Sequence, residues 1–223
     1  MRDHSLSQDR RFYSAMAALV VVAIVAGFAP TFFARGVFFE LPPLTPAVRL
    51  HGLLGTVWVA LFAVQTWLVA AGRRAWHRSL GPIGVIVAVG FVASGVLVVR
   101  ALEQSHGSEA GATLAAHLFT NGAPLAAFAV FVVAGVLQRH VAARHKRFML
   151  LAAVVLLPPA VGRLFGPLGV AYLNLPVYAC AAFANVAYDL WSRRGPHPVS
   201  LCGATALIAI DVATTWWLAQ VGS

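Results

Sequence analysis

Seven long apolar stretches divide the chain and constrain its fold more than any other feature. Each is long enough for a helix to cross the hydrocarbon core of a bilayer, which takes about 20 residues. The connections between them are short, so none holds a soluble domain. We expect an all-α integral membrane protein with seven transmembrane helices in a single domain over residues 1–223. The stretches cover residues 12–33, 47–71, 80–99, 112–137, 146–166, 170–191 and 199–220.

The composition supports this fold and excludes other classes of protein. Hydrophobic residues make up 60% of the chain and charged residues 10%, against about 45–50% and about 25% in soluble domains. A net charge of +9 is also typical of nucleic-acid-binding proteins. Here, however, the basic residues lie between apolar stretches and form no stripe with exposed aromatic residues. The expected partner is therefore the lipid bilayer and not nucleic acid.

The distribution of Lys and Arg predicts the orientation, because cytoplasmic connections are enriched in both. With the N-terminus inside, twelve basic residues fall on the inner side and four on the outer side, so we expect an N-in, C-out protein. We interpret the first stretch as a retained span and not as a cleaved signal peptide. The outer four are Arg35, Arg49, Arg100 and Arg163, and the inner twelve are Arg2, Arg10, Arg11, Arg73, Arg74, Arg78, Arg139, Arg144, Lys146, Arg147, Arg193 and Arg194.

The two cysteines, Cys180 and Cys202, lie within or at the edge of apolar stretches and show no CxxC spacing. The sequence therefore supports neither a zinc site nor a disulfide framework. We interpret both residues as small buried apolar side chains.

Four histidines in or beside the spans are the main candidates for chemistry, because ionisable residues are costly in a membrane. His51 and His117 lie near the outer ends of the second and fourth stretches, and His77 and His145 open the third and fifth from the inner side. The intervals 51–77 and 117–145 each correspond to about 40 Å of helix, roughly one bilayer with its interfaces. Two consecutive helix pairs therefore each carry one outer and one inner histidine.

Bis-histidine ligation of haem iron needs single histidines from opposing helices, with a slot between them for the macrocycle. We expect a helix carbonyl one turn back to accept the proton of the second ring nitrogen. Small residues beside the outer histidines are expected to let a flat macrocycle approach the backbone. These are Gly52, Gly55, Ala115, Ala116 and Gly122.

Polar residues near the histidines suit the same ligand. Asn121 follows His117 by one turn and is a candidate to hydrogen-bond a haem edge or a quinone. Gln65 is expected to face the same interior as His51, deeper in the membrane. Haem propionates are anionic and favour arginine near the membrane edge. The basic candidates are Arg49 and Arg163 for the outer pair, and Arg78, Lys146 and Arg147 for the inner pair.

The stretch HGLLGTVWVALFAVQTWLVAAGRRAWHRSLGPIG, together with His117 and the later HKRFMLL, resembles the cytochrome b561-like superfamily and related bacterial membrane proteins. The resemblance covers residues 46–166 and implies a four-helix core, made of helices 2–5, that binds two b-type haems. Carried over by motif, it pairs His51 with His117 and His77 with His145. The last two spans have no counterpart in such a core.

The leading hypothesis is therefore an inner-membrane, haem b-dependent protein of bacteria that passes electrons across the bilayer. The donor would be a quinol or another small reductant. Two alternatives stay open: a haem- or copper-handling assembly factor for respiratory oxidases, and a small-solute or proton transporter built around Asp211, Arg163 and Asn185. The sequence also leaves the oligomeric state open, including a homodimer.

Overall fold

The structure, a computed structural model, describes residues 2–37, 40–106, 111–193 and 195–221; the side chains of 2–6, 102–118 and 221 lie outside the described residues. It confirms an all-helical architecture. A π-helical turn, Ala29–Phe33, continues the first helix, and a short 3-10 turn, Ala171–Leu173, precedes the seventh. The helices are α1 (Arg2–Phe28), α2 (Pro46–Ala70), α3 (Arg74–His106), α4 (Gly111–Leu137), α5 (Ala142–Val154), α6 (Leu157–Phe165), α7 (Asn174–Arg193) and α8 (Pro198–Val221).

Six segments of the described chain are long and apolar enough to cross a membrane. One of them, Ala142–Phe165, combines α5 and α6. Helix α7, which corresponds to the sixth predicted span, is not among the six. The reason is that α7 carries polar side chains, including Asn185 and Asp189, which are buried against the protein.

Contacts between helix ends indicate that successive spans, with α5 and α6 counted as one, run in opposite directions. Asp9, near the start of α1, pairs with Lys146 at the start of α5 and accepts a hydrogen bond from Tyr188 near the end of α7. Phe119 of α4 meets Trp217 near the end of α8. We call the end that holds the start of α1 and the α2–α3 and α4–α5 connections the basic end, and the other the opposite end.

The α5–α6 segment lies at the centre of the bundle. Helix α5 contacts α1, α2, α4, α7 and α8, and its residues 150–154 are almost completely buried. The helix is interrupted at Val155–Leu156, just before Pro158 and Pro159, because proline cannot donate a backbone hydrogen bond and clashes with the preceding turn. A polar residue at the start of α5 is therefore enclosed by several helices.

An aromatic cluster fills the space between the two ends of the α2–α5 group. Trp58 and Phe62 of α2, Phe91 of α3 and Phe128 of α4 are all buried. The ring of Phe128 lies 4.8 Å from that of Trp58 and 5.1 Å from that of Phe91, both edge to face. Any ligand at one end is thus separated from the other end by packed side chains.

The prediction that both cysteines are buried was wrong. Cys180 of α7 and Cys202 of α8 are exposed on the protein surface. Both lie on helix faces that no neighbouring helix covers, so in a bilayer lipid would surround these thiols.

Candidate functional site

His77 and His145 meet at the basic end of the bundle. His77 lies in the first turn of α3 and His145 in the first turn of α5. Their ring centres are 6.1 Å apart and the ring planes are inclined by 75°. Both side chains are half-buried. The structure therefore brings together two residues that are 68 positions apart in the chain.

The spacing of the two rings suits a single metal ion between them. A metal–imidazole bond is about 2 Å long and the ring centre lies roughly 1 Å behind the nitrogen, so two imidazoles on opposite sides of one ion have centres roughly 6 Å apart. The observed 6.1 Å agrees with this value. Among the described residues, no group of three or more His, Cys, Asp or Glu side chains could hold a metal, so a site here would rely on these two rings.

A hydrogen bond fixes the tautomer of His145. Its Nδ1–H donates to the backbone carbonyl of Gly135 in α4, at 2.7 Å. Nε2 is then the nitrogen with a free lone pair, as a metal ligand requires. The acceptor comes from the neighbouring helix, whereas the sequence analysis expected a carbonyl one turn back in the same helix.

Two buried side-chain atoms at this pair have no hydrogen-bond partner of normal geometry among the described residues. They are Nδ1 of His77 and Oε1 of Gln65. Gln65 lies near the end of α2, directly before the short connection that leads to His77. Buried polar atoms in proteins nearly always have a hydrogen-bond partner. Two such atoms next to a histidine pair are typical of a site that a ligand completes.

The backbone of α3 is not covered by other described side chains in the two turns that follow His77. Gly81 and Gly84 follow it at four and seven residues, which places all three on one helix face. A Cβ built at either glycine meets no atom within 4 Å. A flat group can therefore approach the α3 backbone beside His77. These two glycines were not predicted as site residues, although their helical spacing from His77 was the available signal.

At the opposite end, His51 of α2 packs against α3. Its ring stacks on Phe91 with centres 4.3 Å apart. Its Nδ1 lies 3.2 Å from both the Phe91 carbonyl and the Ser94 hydroxyl. As with His145, Nδ1 donates to a carbonyl of the next helix. The side chain of His117, the predicted partner, lies outside the described residues, so this pairing stays a prediction.

The small residues proposed beside the outer histidines do not all leave space. A Cβ on Gly52 would lie 2.4 Å from the Phe32 ring, and one on Gly55 would lie 2.9 Å from Phe91. At both glycines, an aromatic side chain of the protein itself occupies the space beside the backbone. The expectation that they leave a slot for a macrocycle was therefore wrong. Gly122 of α4 is open. Ala115 and Ala116 lie outside the described side chains.

The candidate propionate and edge residues differ in their surroundings. Arg49 and Asn121 are exposed, and so is Arg78. Arg163 donates from Nη1 to the Pro159 carbonyl at 2.7 Å. Its guanidinium also lies over the Phe28 ring, 4.5 Å from the ring centre.

Arg147, a candidate for the inner propionates, is fully buried and already engaged. It forms a salt bridge with Asp189 of α7 through Nη2, and its Nε lies 3.1 Å from both Asp189 Oδ2 and Ser200 Oγ. Its Nη1 donates to the Ala143 carbonyl at 2.6 Å. The Ser200 hydroxyl of α8 donates to Asp189 at 2.5 Å. Arg147 therefore binds α5 to α7 and α8.

A second polar group links α1 to the same helices. Asp9 forms a salt bridge with Lys146 at 2.6 Å and accepts a hydrogen bond from Tyr188 at 2.8 Å. The Tyr13 hydroxyl donates to Asn185 Oδ1 at 3.1 Å. The partners of Asn185 and Asp189 were not predicted from the sequence. Their four-residue spacing, which puts both on one face of α7, was the available signal.

His197 begins α8 beside the Arg147–Asp189 pair. Its backbone N–H donates to Asp189 at 3.2 Å, and its Nδ1 accepts the Val199 N–H at 3.1 Å, as an N-cap side chain does. Burial lowers the pKa of His197, and the nearby positive charge of Arg147 lowers it further. The neutral ring that the cap requires is thus favoured.

Asp211 and Arg163, which the transporter hypothesis combines, do not pair. Within the described residues, the structure has two salt bridges, and neither includes Asp211 or Arg163. Asp211 is half-buried in α8.

No protein-family model matches the chain, and no curated protein and no solved structure matches it significantly.

Proposed function

We propose that the protein is a membrane electron carrier that binds haem b between His77 and His145. The single observation that carries this proposal is the pair of imidazoles from α3 and α5 with centres 6.1 Å apart. The orphaned atoms of His77 and Gln65 and the open backbone at Gly81 and Gly84 support it. A second haem between His51 and His117 is part of the proposal, by the resemblance to the cytochrome b561-like superfamily.

When bound, haem b supplies one-electron chemistry between ferric and ferrous iron. The residues of this chain hold and tune the group. Gly135 keeps the His145 ring in one tautomer, and the glycine face of α3 leaves space for a flat ligand. Among the described residues, Arg78 is the inner basic candidate without a salt bridge, because Lys146 pairs with Asp9 and Arg147 with Asp189.

The orientation and the environment belong to the same proposal. We propose seven spans, with α7 as the sixth of them, and the basic end facing the cytoplasm of a bacterium. The support is the unequal distribution of Lys and Arg between the two ends. A quinol or another small reductant would be the electron donor.

The test is an optical spectrum of the full chain, purified in detergent from cells supplied with haem. We expect a b-type difference spectrum on dithionite reduction and up to two haems per chain by pyridine haemochrome. His77→Ala and His145→Ala should each remove the haem of the basic end, and His140→Ala serves as a control, because His140 is exposed in a connection. A colourless wild-type protein without iron would exclude this function.

A copper- or haem-handling assembly factor is the second candidate. A site with two histidines and no third protein ligand among the described residues also suits transient metal binding. This function predicts metal or haem below one per chain after purification, and rapid loss of it to a chelator or apoprotein acceptor. A stable stoichiometric haem spectrum would exclude it.

A further inference from the structure

A shallow, largely open cavity of about 500 Å³ lies at the opposite end, between the end of α1 and the start of α2. Its wall combines apolar side chains with two arginines. The π-helical turn contributes Phe32, the connection contributes Leu41 and Leu44, and α2 contributes Leu53. The arginines are Arg35, just after the π-helical turn, and Arg49, in the first turn of α2.

Arg35 is built into this wall, and its two hydrogen bonds leave other guanidinium N–H groups unused. Its Nη1 donates to the Thr31 carbonyl at 2.8 Å, and its Nη2 donates to the Pro42 carbonyl. These bonds tie the π-helical turn to the connection that leads into α2. Nε of Arg35 and Oγ1 of Thr31 are both buried, and neither has a hydrogen-bond partner among the described residues. Of these two groups, only Arg35 lines the cavity, so its Nε–H is the donor that a ligand there would pair.

The positive charge of the cavity is not neutralised by the described part of the protein. Both salt bridges among the described residues lie at the basic end. Glu40, in the same connection, is exposed. A half-buried arginine without a carboxylate is costly unless an anion compensates it. A ligand that complements this cavity therefore combines an oxyanion with an apolar group.

We propose that this cavity binds the phosphate of an anionic phospholipid, with the acyl chains along Phe32, Leu44 and Leu53. Its place at the ends of two apolar helices is the depth at which phospholipid head groups lie. Basic pockets between membrane helices are known to take up anionic head groups in this way. A zwitterionic choline head group is disfavoured, because its positive charge would lie near two arginines.

Native mass spectrometry of the delipidated full chain tests the proposal. Phosphatidylglycerol is added and compared with phosphatidylcholine of the same acyl chains. We expect a phosphatidylglycerol adduct on the wild type, and at least about tenfold weaker binding for Arg49→Gln, since one charge-assisted bond is lost. Arg35→Gln should weaken it similarly. Arg74→Gln, which removes the same charge from an exposed residue at the basic end, is the control.

Two results would overturn the assignment. The first is unchanged phosphatidylglycerol binding by Arg49→Gln. The Arg49 side chain makes no hydrogen bond within the described part of the chain, so this variant should stay folded. The second is complete displacement of the lipid by inorganic phosphate at millimolar concentration, which would identify a soluble oxyanion as the ligand. Resistance to phosphate, with loss in both arginine variants and not in Arg74→Gln, supports a lipid site.

Discussion

The guanidinium of Arg147 and the carboxylate of Asp189 form a salt bridge in the interior of the bundle, and neither side chain has any exposed surface. Ser200 bonds to both partners, so each charge has several hydrogen bonds. The pair joins α5, the central helix, to α7 and α8. Because His145 lies two residues before Arg147 in α5, the same contacts limit how α5 can rotate at the histidine pair.

Asp189→Leu should strongly destabilise the protein, because it leaves Arg147 charged and unpaired in the interior. Loss of one partner of a buried pair costs about 3–5 kcal/mol. Lys146→Met is the control: its salt bridge to Asp9 is partly exposed and should be worth at most about 1 kcal/mol. Thermal unfolding in detergent measures both. Equal melting temperatures for the two variants would contradict this role of the buried pair.

Combining Arg147→Met with Asp189→Leu should recover most of the loss, because no uncompensated charge remains. Replacing a whole buried ion pair by apolar side chains is often neutral or stabilising. The double variant therefore separates the cost of a lone charge from the value of the pair. If the double variant melts at as low a temperature as Asp189→Leu, the hydrogen bonds among Arg147, Asp189 and Ser200 are what hold α7 and α8 against α5.

Filling the open face of α3 should prevent haem binding without disturbing the fold. Gly84→Leu places a side chain where no atom lies within 4 Å, so the apoprotein should keep its melting temperature. The b-type spectrum of the basic end should be lost or strongly reduced. Val85→Leu, at the next residue and on an exposed face, is the control. A full haem content in Gly84→Leu would exclude a macrocycle at this face.

The stability of the bundle should fall as the pH drops below the ordinary histidine pKa of about 6.5. The pKa of His197 is lowered in the folded protein, so the unfolded chain takes up a proton first. The stabilising contribution of neutral His197 is fully present at a pH above the ordinary histidine pKa. It is lost as the pH falls toward the lower pKa that His197 has in the folded protein. Protonation also removes the Nδ1 acceptor of Val199. His197→Asn, which can still cap α8, should lose less stability between pH 7.5 and 5.5 than the wild type; equal losses would contradict the prediction.

Gly27→Ala should destabilise more than Gly203→Ala. A Cβ at Gly27 would lie 2.3 Å from the backbone oxygen of Ala160, so α1 and α6 must separate. At Gly203 the nearest atom is the terminal Cδ1 of Leu151, at 2.2 Å, and a side chain can rotate. Overpacking costs about 1–3 kcal/mol, and we expect Gly27→Ala at the upper end. Comparing the thermal midpoints of both variants checks the order, and a reversed order would contradict it.

The all-helical membrane fold followed from the sequence because helix length and apolarity are local properties. The interruption between α5 and α6 comes just before Pro158 and Pro159, whereas Pro82 and Pro124 lie inside continuous helices; proline alone therefore does not decide where a helix ends. The polar exceptions, including the histidines, Arg147 and Asp189, were also visible, because each stands out against an apolar stretch. What each of them contacts was not visible.

Only the tertiary structure decided which polar residues meet. Arg147 was assigned to a ligand from its position near a membrane edge, but the packing of α7 and α8 around α5 places Asp189 and Ser200 against it. His77 and His145 come close because α3 and α5 both begin at the basic end and both pack against α2 and α4. The reason is physical: the sequence sets the face on which each polar group lies, whereas the rotation and neighbours of each helix depend on packing between distant segments.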